Sequence, residues 1–140
     1  MNIFYLDKCP NKAAKVQYNK HVVKMILESA QMLCAAHHVL GNPDDVPYKL
    51  AHKNHPSTIW VRENSLHYEW LYEHFVALSR EYNKRYGKTH MSFDKCYVPC
   101  MSHPENIHEY MGQTATFTYF ERTKAGSYRH PLFKCIRNYE

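Results

Sequence analysis

Residues 65–87 constrain the fold of this chain more than any other stretch. Apolar and aromatic side chains recur there every three or four residues, which is the spacing that lines one face of an α-helix. Ser65 is a suitable N-cap residue and Gly87 a suitable C-terminal stop. The pattern therefore predicts a long helix that buries one face. That face consists of Leu66, Trp70, Leu71, Phe75, Leu78, Tyr82 and Tyr86.

A second long helix is predicted between Pro10 and about Leu40. Proline is well tolerated in the first turn of a helix, and Gly41 followed by Asn42 and Pro43 is a stop signal. Apolar residues recur at helical spacing between these limits. They are Val16, Val22, Val23, Met25, Ile26, Ala30 and Leu33.

The rest of the chain has weaker patterns. Residues 41–56 contain three prolines and no period, which indicates a loop, and a short helix is expected over about 57–64. After Thr89 only TATFTYFE, residues 114–121, resembles a strand. We therefore expect one all-α domain over the whole chain, with a compact core of three helices at about 10–88 and an irregular C-terminal third, residues 89–140.

Composition restricts the class of protein. The 140 residues carry a net charge of +5, which is compatible with phosphate-bearing partners such as DNA or nucleotides. No apolar run approaches the roughly 20 residues of a membrane span. The odd number of cysteines and the absence of an apolar leader in MNIFYLDK predict reduced thiols and a cytoplasmic location, the host cytoplasm if a phage encodes the chain.

The first long helix carries a polar stripe on one face. At 100° per residue its members fall within about a third of the helix circumference. One interpretation is a solvated face with a Lys24–Glu28 contact worth only about 0.3 kcal/mol. The other is an active face, with Glu28 as acid, base or electrostatic stabiliser and lysines that hold phosphates. The stripe consists of Gln17, Lys20, His21, Lys24, Glu28 and Gln31.

The loop sequence AHKNHP places four polar residues side by side, His52, Lys53, Asn54 and His55, just before Pro56. A structural interpretation is that Asn54 and His55 cap the next helix and close the loop. A functional interpretation is that the loop forms a second wall of a site and faces the polar stripe.

Several aromatic and histidine residues have two interpretations. Trp60, Tyr68 and Trp70 could stack on a base, and Tyr68 is the best candidate because its hydroxyl can also bind a polar partner. Aromatic residues at helical spacing are, however, more often part of a core. His67 and His74 are expected on the surface.

A metal site is the weaker interpretation of the C-terminal cysteines. Cys96, Cys100 and His103 offer the sulfur and imidazole ligands that zinc prefers. The cysteine pair has three intervening residues and no second pair, so we expect no metal and no cofactor.

The layout resembles the phage pyrimidine-dimer DNA glycosylases of the endonuclease V type. Members of that family have a histidine seven residues before the catalytic glutamate on the first long helix, as His21 and Glu28 are here. The segment HYEWLYEHFVALSREYNKRYGK is similar to their third helix. Together the two stretches cover roughly the first 90 residues.

The resemblance implies a three-helix domain in which a backbone α-amine attacks the sugar C1′ of a damaged nucleotide and forms a Schiff base. The predicted catalytic residues are Asn2, which would supply that amine, Glu28, which would assist sugar opening and elimination, and His21 beside them. The substrate would be DNA or a nucleotide. The predicted substrate-binding residues are Lys20, Lys24, Gln31, His52, Asn54, His55, Arg62 and Tyr68.

The chain departs from the family pattern at three positions. Asn2 follows the initiator methionine, where the family has a small residue, and Leu27 and Gln31 stand where it has arginines. These differences favour an alternative function: a non-catalytic phage protein that binds a nucleotide, a nucleic acid or a host protein on the same scaffold. An assembly protein with a cationic surface is a third possibility.

Overall fold

The computed structural model describes residues 1–110 and 115–117. The described part is helical and contains no β-strand, which confirms the all-α prediction. None of its helices is long and apolar enough to cross a bilayer. The elements are α1 (Pro10–Lys15), α2 (Asn19–Leu40), a 3-10 turn (Pro43–Asp45), α3 (Pro56–Arg62), α4 (Ser65–Tyr86) and α5 (Met91–Cys96).

Helix α4 forms where the sequence predicts it. The N-cap is Asn64 rather than Ser65, and its side-chain oxygen accepts a hydrogen bond from the His67 amide at 2.9 Å. At the other end Gly87 has a φ of 69°, a conformation that a residue with a Cβ adopts only with strain. Its amide donates to the Asn83 carbonyl at 2.8 Å and closes the helix.

The single helix predicted from Pro10 to Leu40 is in fact two helices, separated at residues 16–18. Gln17 causes the difference, because it is fully buried and its side-chain amide donates to the Phe4 carbonyl at 3.2 Å. Arg85 of α4 donates to the Gln17 carbonyl at 2.9 Å. These tertiary hydrogen bonds hold a polar residue inside the protein and interrupt the helical backbone.

Two of the short helices, α3 and α5, are capped by histidines. His55 accepts a hydrogen bond from the Ser57 amide at 3.1 Å and starts α3, and His90 accepts from the Ser92 amide at 3.1 Å and starts α5. Helix α5 corrects the expectation that the chain is irregular from residue 89 onward. Of the strand-like stretch at 114–121, residues 115–117 form no regular element and the others lie outside the described residues.

The core lies between the long helices. Helix α4 packs against both α1 and α2, and α3 contacts both α2 and α4. Both long helices contribute large side chains that are almost completely buried. These are Val22, Ile26, Met32 and Leu33 from α2 and Tyr68, Leu71, Phe75 and Leu78 from α4.

Two histidines of α4 are buried, although the sequence predicted them on the surface. His67 and His74 are each 1% exposed. The Nδ1 atoms donate to the carbonyls of Trp60, at 2.8 Å, and Pro10, at 3.1 Å, since a carbonyl can only accept. Neutral imidazoles with one satisfied donor can be buried, and burial lowers the pKa of His74 to about 4.

We expect His74 to make folding sensitive to acid. Between pH 6.5, the ordinary pKa of histidine, and about pH 4, His74 stays neutral in the folded state but is protonated in the unfolded chain. Its contribution to stability is therefore complete above pH 6.5 and decreases as the pH falls towards 4, by up to roughly 3 kcal/mol. Urea unfolding at several pH values should show a shallower loss for His74→Asn than for the wild type. Equal pH slopes for both proteins would contradict this assignment.

Candidate active site

The N-terminus of the chain lies against the polar face of α2. The terminal ammonium nitrogen of Met1 is 3.3 Å from Glu28 Oε1, and the backbone amide of Asn2 donates to the same oxygen at 3.3 Å. Further along, the ring of Phe4 packs on the ring of His21, with 4.5 Å between centroids. The stripe is thus partly covered by the start of the chain.

The spacing of these contacts gives the direction of the N-terminal segment. Glu28 and His21 are seven helical residues apart, a rise of about 10.5 Å. Met1 and Phe4 are three residues apart, and an extended chain covers about 10 Å over that distance. Gln17 lies four residues before His21, and its side-chain amide donates to the carbonyl of the same Phe4. An extended segment therefore runs antiparallel to α2 and brings the terminal amine to the carboxylate.

The Glu28 carboxylate is largely enclosed, with 13% of its side chain exposed. Both contacts with the N-terminus involve Oε1. Oε2 is buried and has no hydrogen-bond partner among the described residues. Because a buried acceptor without a donor is unfavourable, Oε2 is well suited to accept a proton or a hydrogen bond from a bound molecule.

His55 lies close to the amine and the carboxylate. Burial lowers the pKa of His55, the positive terminal amine and His52 lower it further, and the Glu28 carboxylate acts in the opposite direction. Its Nδ1 accepts the capping hydrogen bond of α3, so its Nε2 carries the proton in the neutral form. His55 thus caps α3, as the structural interpretation of the AHKNHP loop predicts, and it also stands within electrostatic reach of Glu28.

The Arg62 side chain forms a hydrogen bond with the same loop. Its Nη1 donates to the Lys53 carbonyl at 2.8 Å. His52 has a φ of 50°, an unusual backbone conformation for a residue with a side chain. The loop therefore has a defined backbone conformation, and the hydrogen bond from Arg62 helps to stabilise it.

The remaining polar candidates lie on α2 and in the AHKNHP loop. Gln31 is half-buried on α2, one turn after Glu28. The others are exposed and give this edge of the protein a cationic and hydrogen-bonding character. They are Lys20 and Lys24 on α2 and His52 and Asn54 in the loop.

Tyr68 does not belong to this set. It is 1% exposed, its hydroxyl donates to the Cys100 carbonyl at 2.7 Å, and the same oxygen lies 2.8 Å from His37 Nε2. A side chain enclosed in this way is not available to stack on a base. Trp60 and Trp70 are also buried, at 3% and 8% exposure, so the structure favours the core interpretation of all three aromatic residues.

The cysteines converge in a way that the sequence did not predict. Cys96 and Cys100 meet Cys34 of α2, and the three sulfurs lie within 4.8 Å of one another. His103, the imidazole considered as a candidate ligand from the sequence, does not belong to this group. Its ring instead contacts the Pro104 carbonyl at 3.1 Å and Glu109 at 3.8 Å.

The nucleophile predicted from the sequence is the nitrogen of Asn2, and that prediction did not include Met1. The Met1 amine and the Asn2 amide both contact the Glu28 carboxylate. The available signal was the short apolar run IFYL, residues 3–6, which is compatible with a buried extended segment.

A small helical domain that holds a terminal amine against a largely enclosed carboxylate brings together two groups that amine-based covalent catalysis uses. A family model described as pyrimidine dimer DNA glycosylase matches residues 1–95. The chain belongs to this family, and membership implies a DNA glycosylase type of function with DNA as the substrate. No curated protein and no solved structure matches the chain.

Proposed function

We propose that this protein is a DNA glycosylase with an associated lyase step, in which the N-terminal amine is the nucleophile and Glu28 transfers protons and stabilises charge. One observation carries the proposal: the Met1 amine nitrogen lies 3.3 Å from Glu28 Oε1. An amine and a carboxylate in contact, with a second carboxylate oxygen that has no described donor, can serve as nucleophile and proton acceptor together.

An α-amine would lie beside Glu28 whether Met1 is retained or removed. If Met1 is retained, its α-amine contacts Glu28. If Met1 is removed, the new α-amine is the nitrogen of Asn2, which lies 3.3 Å from the same oxygen. The departure at Asn2 from the family pattern is therefore compatible with an amine beside Glu28.

The proposed chemistry has two stages. The unprotonated amine attacks C1′, the bond from C1′ to the base breaks, and the base leaves with the electron pair and takes up a proton. The ammonium formed at C1′ gives up a proton to the carboxylate, and opening of the sugar at O4′, with a proton delivered to that oxygen, then gives an iminium ion. Loss of a proton from C2′ then expels the 3′ phosphate. Glu28 is placed to stabilise the cation and to transfer protons.

Recognition of the DNA backbone is assigned to the rim of the site. Lys20 and Lys24 supply positive charge, although without the bidentate geometry of arginine. His52, Asn54 and His55 supply hydrogen bonds from the loop, with Arg62 supporting it. Gln31 is assigned to substrate binding next to Glu28. His21 is assigned to positioning the N-terminal segment, through the contact of its ring with Phe4.

A non-catalytic DNA-binding function is the second candidate. It is favoured by Leu27, which is 40% exposed, and Gln31, since the family has arginines at these positions. A binder on this scaffold would keep the cationic rim but would not form a covalent bond with DNA.

Borohydride trapping separates the two functions. The protein is incubated with duplex DNA that contains a pyrimidine dimer, an abasic site or no lesion, and borohydride reduces any iminium ion to a stable amine. We expect a covalent adduct on the N-terminal peptide with the damaged and abasic duplexes only. DNA binding without an adduct on either duplex would refute the enzyme and support the binding protein.

We expect the double variant Lys20→Ala/Lys24→Ala to bind duplex DNA less tightly and with a weaker dependence on salt. Each lost phosphate contact should reduce the slope of log K against log salt by about 0.9. Fluorescence anisotropy at several salt concentrations measures this slope. Lys95→Ala is the control. It removes a positive charge that is not assigned to DNA binding, since the Lys95 ammonium lies over the Tyr48 ring, 5.9 Å from the centroid. An unchanged slope in the double variant would remove both lysines from the DNA-binding surface.

A further inference from the structure

Three buried cysteines form a cluster that the glycosylase chemistry does not use. Cys34 Sγ is 4.0 Å from Cys96 Sγ and 3.8 Å from Cys100 Sγ. All three residues are fully buried and none forms a disulfide. They come from two parts of the chain, since Cys34 lies in the middle of α2 whereas Cys96 ends α5 and Cys100 follows one turn later.

The separations match those around a single thiophilic ion. Zinc binds thiolate sulfur at about 2.3 Å, so two sulfurs on one tetrahedral zinc are about 3.8 Å apart. Two of the three sulfur pairs have nearly this separation, and the third pair lies within 4.8 Å. The cluster needs little rearrangement to place all three sulfurs around a common centre.

Other roles of clustered cysteines fit less well. A disulfide would join only two of the three sulfurs and leave the third unexplained. An iron–sulfur cluster requires four ligands distributed over several irons. Simple core packing needs apolar side chains but does not need three sulfurs directed at one point.

From these observations the geometry points to a structural zinc site formed by Cys34, Cys96 and Cys100. On binding, zinc would displace the thiol protons to solvent and keep three thiolates, which is the preferred soft ligand set for this ion. Chain topology gives the site a clear purpose, because the ion would fasten α5 and the turn after it to α2.

The zinc site is separate from the catalytic site. Cys34 follows Glu28 by six residues, which corresponds to a rise of about 9 Å and a rotation of about 240° around the helix. These two side chains therefore point about 120° apart around α2, so the ion would support the fold from a different face of the helix. Among the described residues no further histidine, cysteine or carboxylate atom joins the group, so the fourth ligand comes from solvent or from a side chain that moves on binding.

The direct test is metal analysis of the full-length protein, refolded with zinc under a phosphine reductant and freed of unbound ion. We expect about one zinc per chain, released when a mercurial reagent titrates the thiols. Cys34→Ser, Cys96→Ser and Cys100→Ser should each lose most of this zinc. Cys9→Ser is the matched control and should retain it, because Cys9 is a half-buried free thiol outside the cluster.

A second measurement covers the case in which the serine variants do not fold. Cobalt added to the zinc-free wild-type protein should give the absorption of a tetrahedral ion together with a thiolate-to-cobalt charge-transfer band. Zinc content close to zero together with a featureless cobalt spectrum would overturn the site. So would zinc that is lost equally in Cys9→Ser, or a wild-type mass lower by two hydrogen atoms, which reports a disulfide.

Discussion

Glu28→Gln is expected to lose turnover by about 10²- to 10⁴-fold on damaged duplex DNA while it keeps its affinity for that DNA within a few-fold. Glutamine retains the size of the side chain and an oxygen that can accept from the Asn2 amide. It cannot accept a proton, and it has no charge to stabilise an iminium ion. Single-turnover cleavage and equilibrium binding on the same duplex measure the two properties separately.

The control for this substitution is Glu73→Gln, which makes the same chemical change at an exposed carboxylate of α4. It should alter neither turnover nor affinity. Thermal unfolding of Glu28→Gln must also be measured, because the variant loses the ion pair with the Met1 amine. If well-folded Glu28→Gln keeps the wild-type rate, the carboxylate is only a partner of the N-terminus and the proposed mechanism fails.

Local signals explain which helices the sequence could predict. Helix α4 has an apolar period over six turns and a stop residue at Gly87, so its limits follow from the chain itself. Asn64 and Ser65 are both good caps, and pattern alone could not choose between them. Helix α5 is too short to show an apolar period. Its cap is the ring nitrogen of His90 rather than one of the usual capping side chains, so no local signal predicts where it begins.

The break between α1 and α2 could not be predicted because the burial of two neighbouring residues is the reverse of their polarity. Val16 is 40% exposed, whereas Gln17 is fully buried. The hydrogen bonds of Gln17 with Phe4 and Arg85 make this arrangement stable, and both partners are distant in sequence. Polar burial of this kind depends on tertiary contacts that a helical period does not contain.

The polar face of α2 was predictable, but the segment that covers it was not. Seven residues make almost two helical turns, so His21 and Glu28 had to share a face of α2. Whether that face met solvent, a loop or the N-terminus depended on the path of the first residues. The same limitation applies to Cys34, which joins Cys96 and Cys100 only through the packing of α5 on α2.

Blocking the N-terminal amine should have the largest effect of all. A Gly-Ser extension before Met1 converts the α-amine into an amide, which is not nucleophilic, and places the new amine beyond Glu28. We expect no borohydride adduct at the native N-terminal residues and turnover lower by more than about a thousandfold. Intact mass and damaged-duplex cleavage, measured on the same preparation, test this expectation.

Asn2→Ser is the informative counterpart, because a small second residue favours removal of Met1. The exposed α-amine would then be the nitrogen that now lies 3.3 Å from Glu28 Oε1. We expect this variant to keep a trappable amine and to cleave damaged DNA at least as well as the wild type. Undiminished cleavage by the extended chain, with an adduct on a lysine, would instead assign the nucleophile to a side chain. Loss of cleavage in both proteins would mean that Met1 itself is required, because only its retained amine would then be correctly placed.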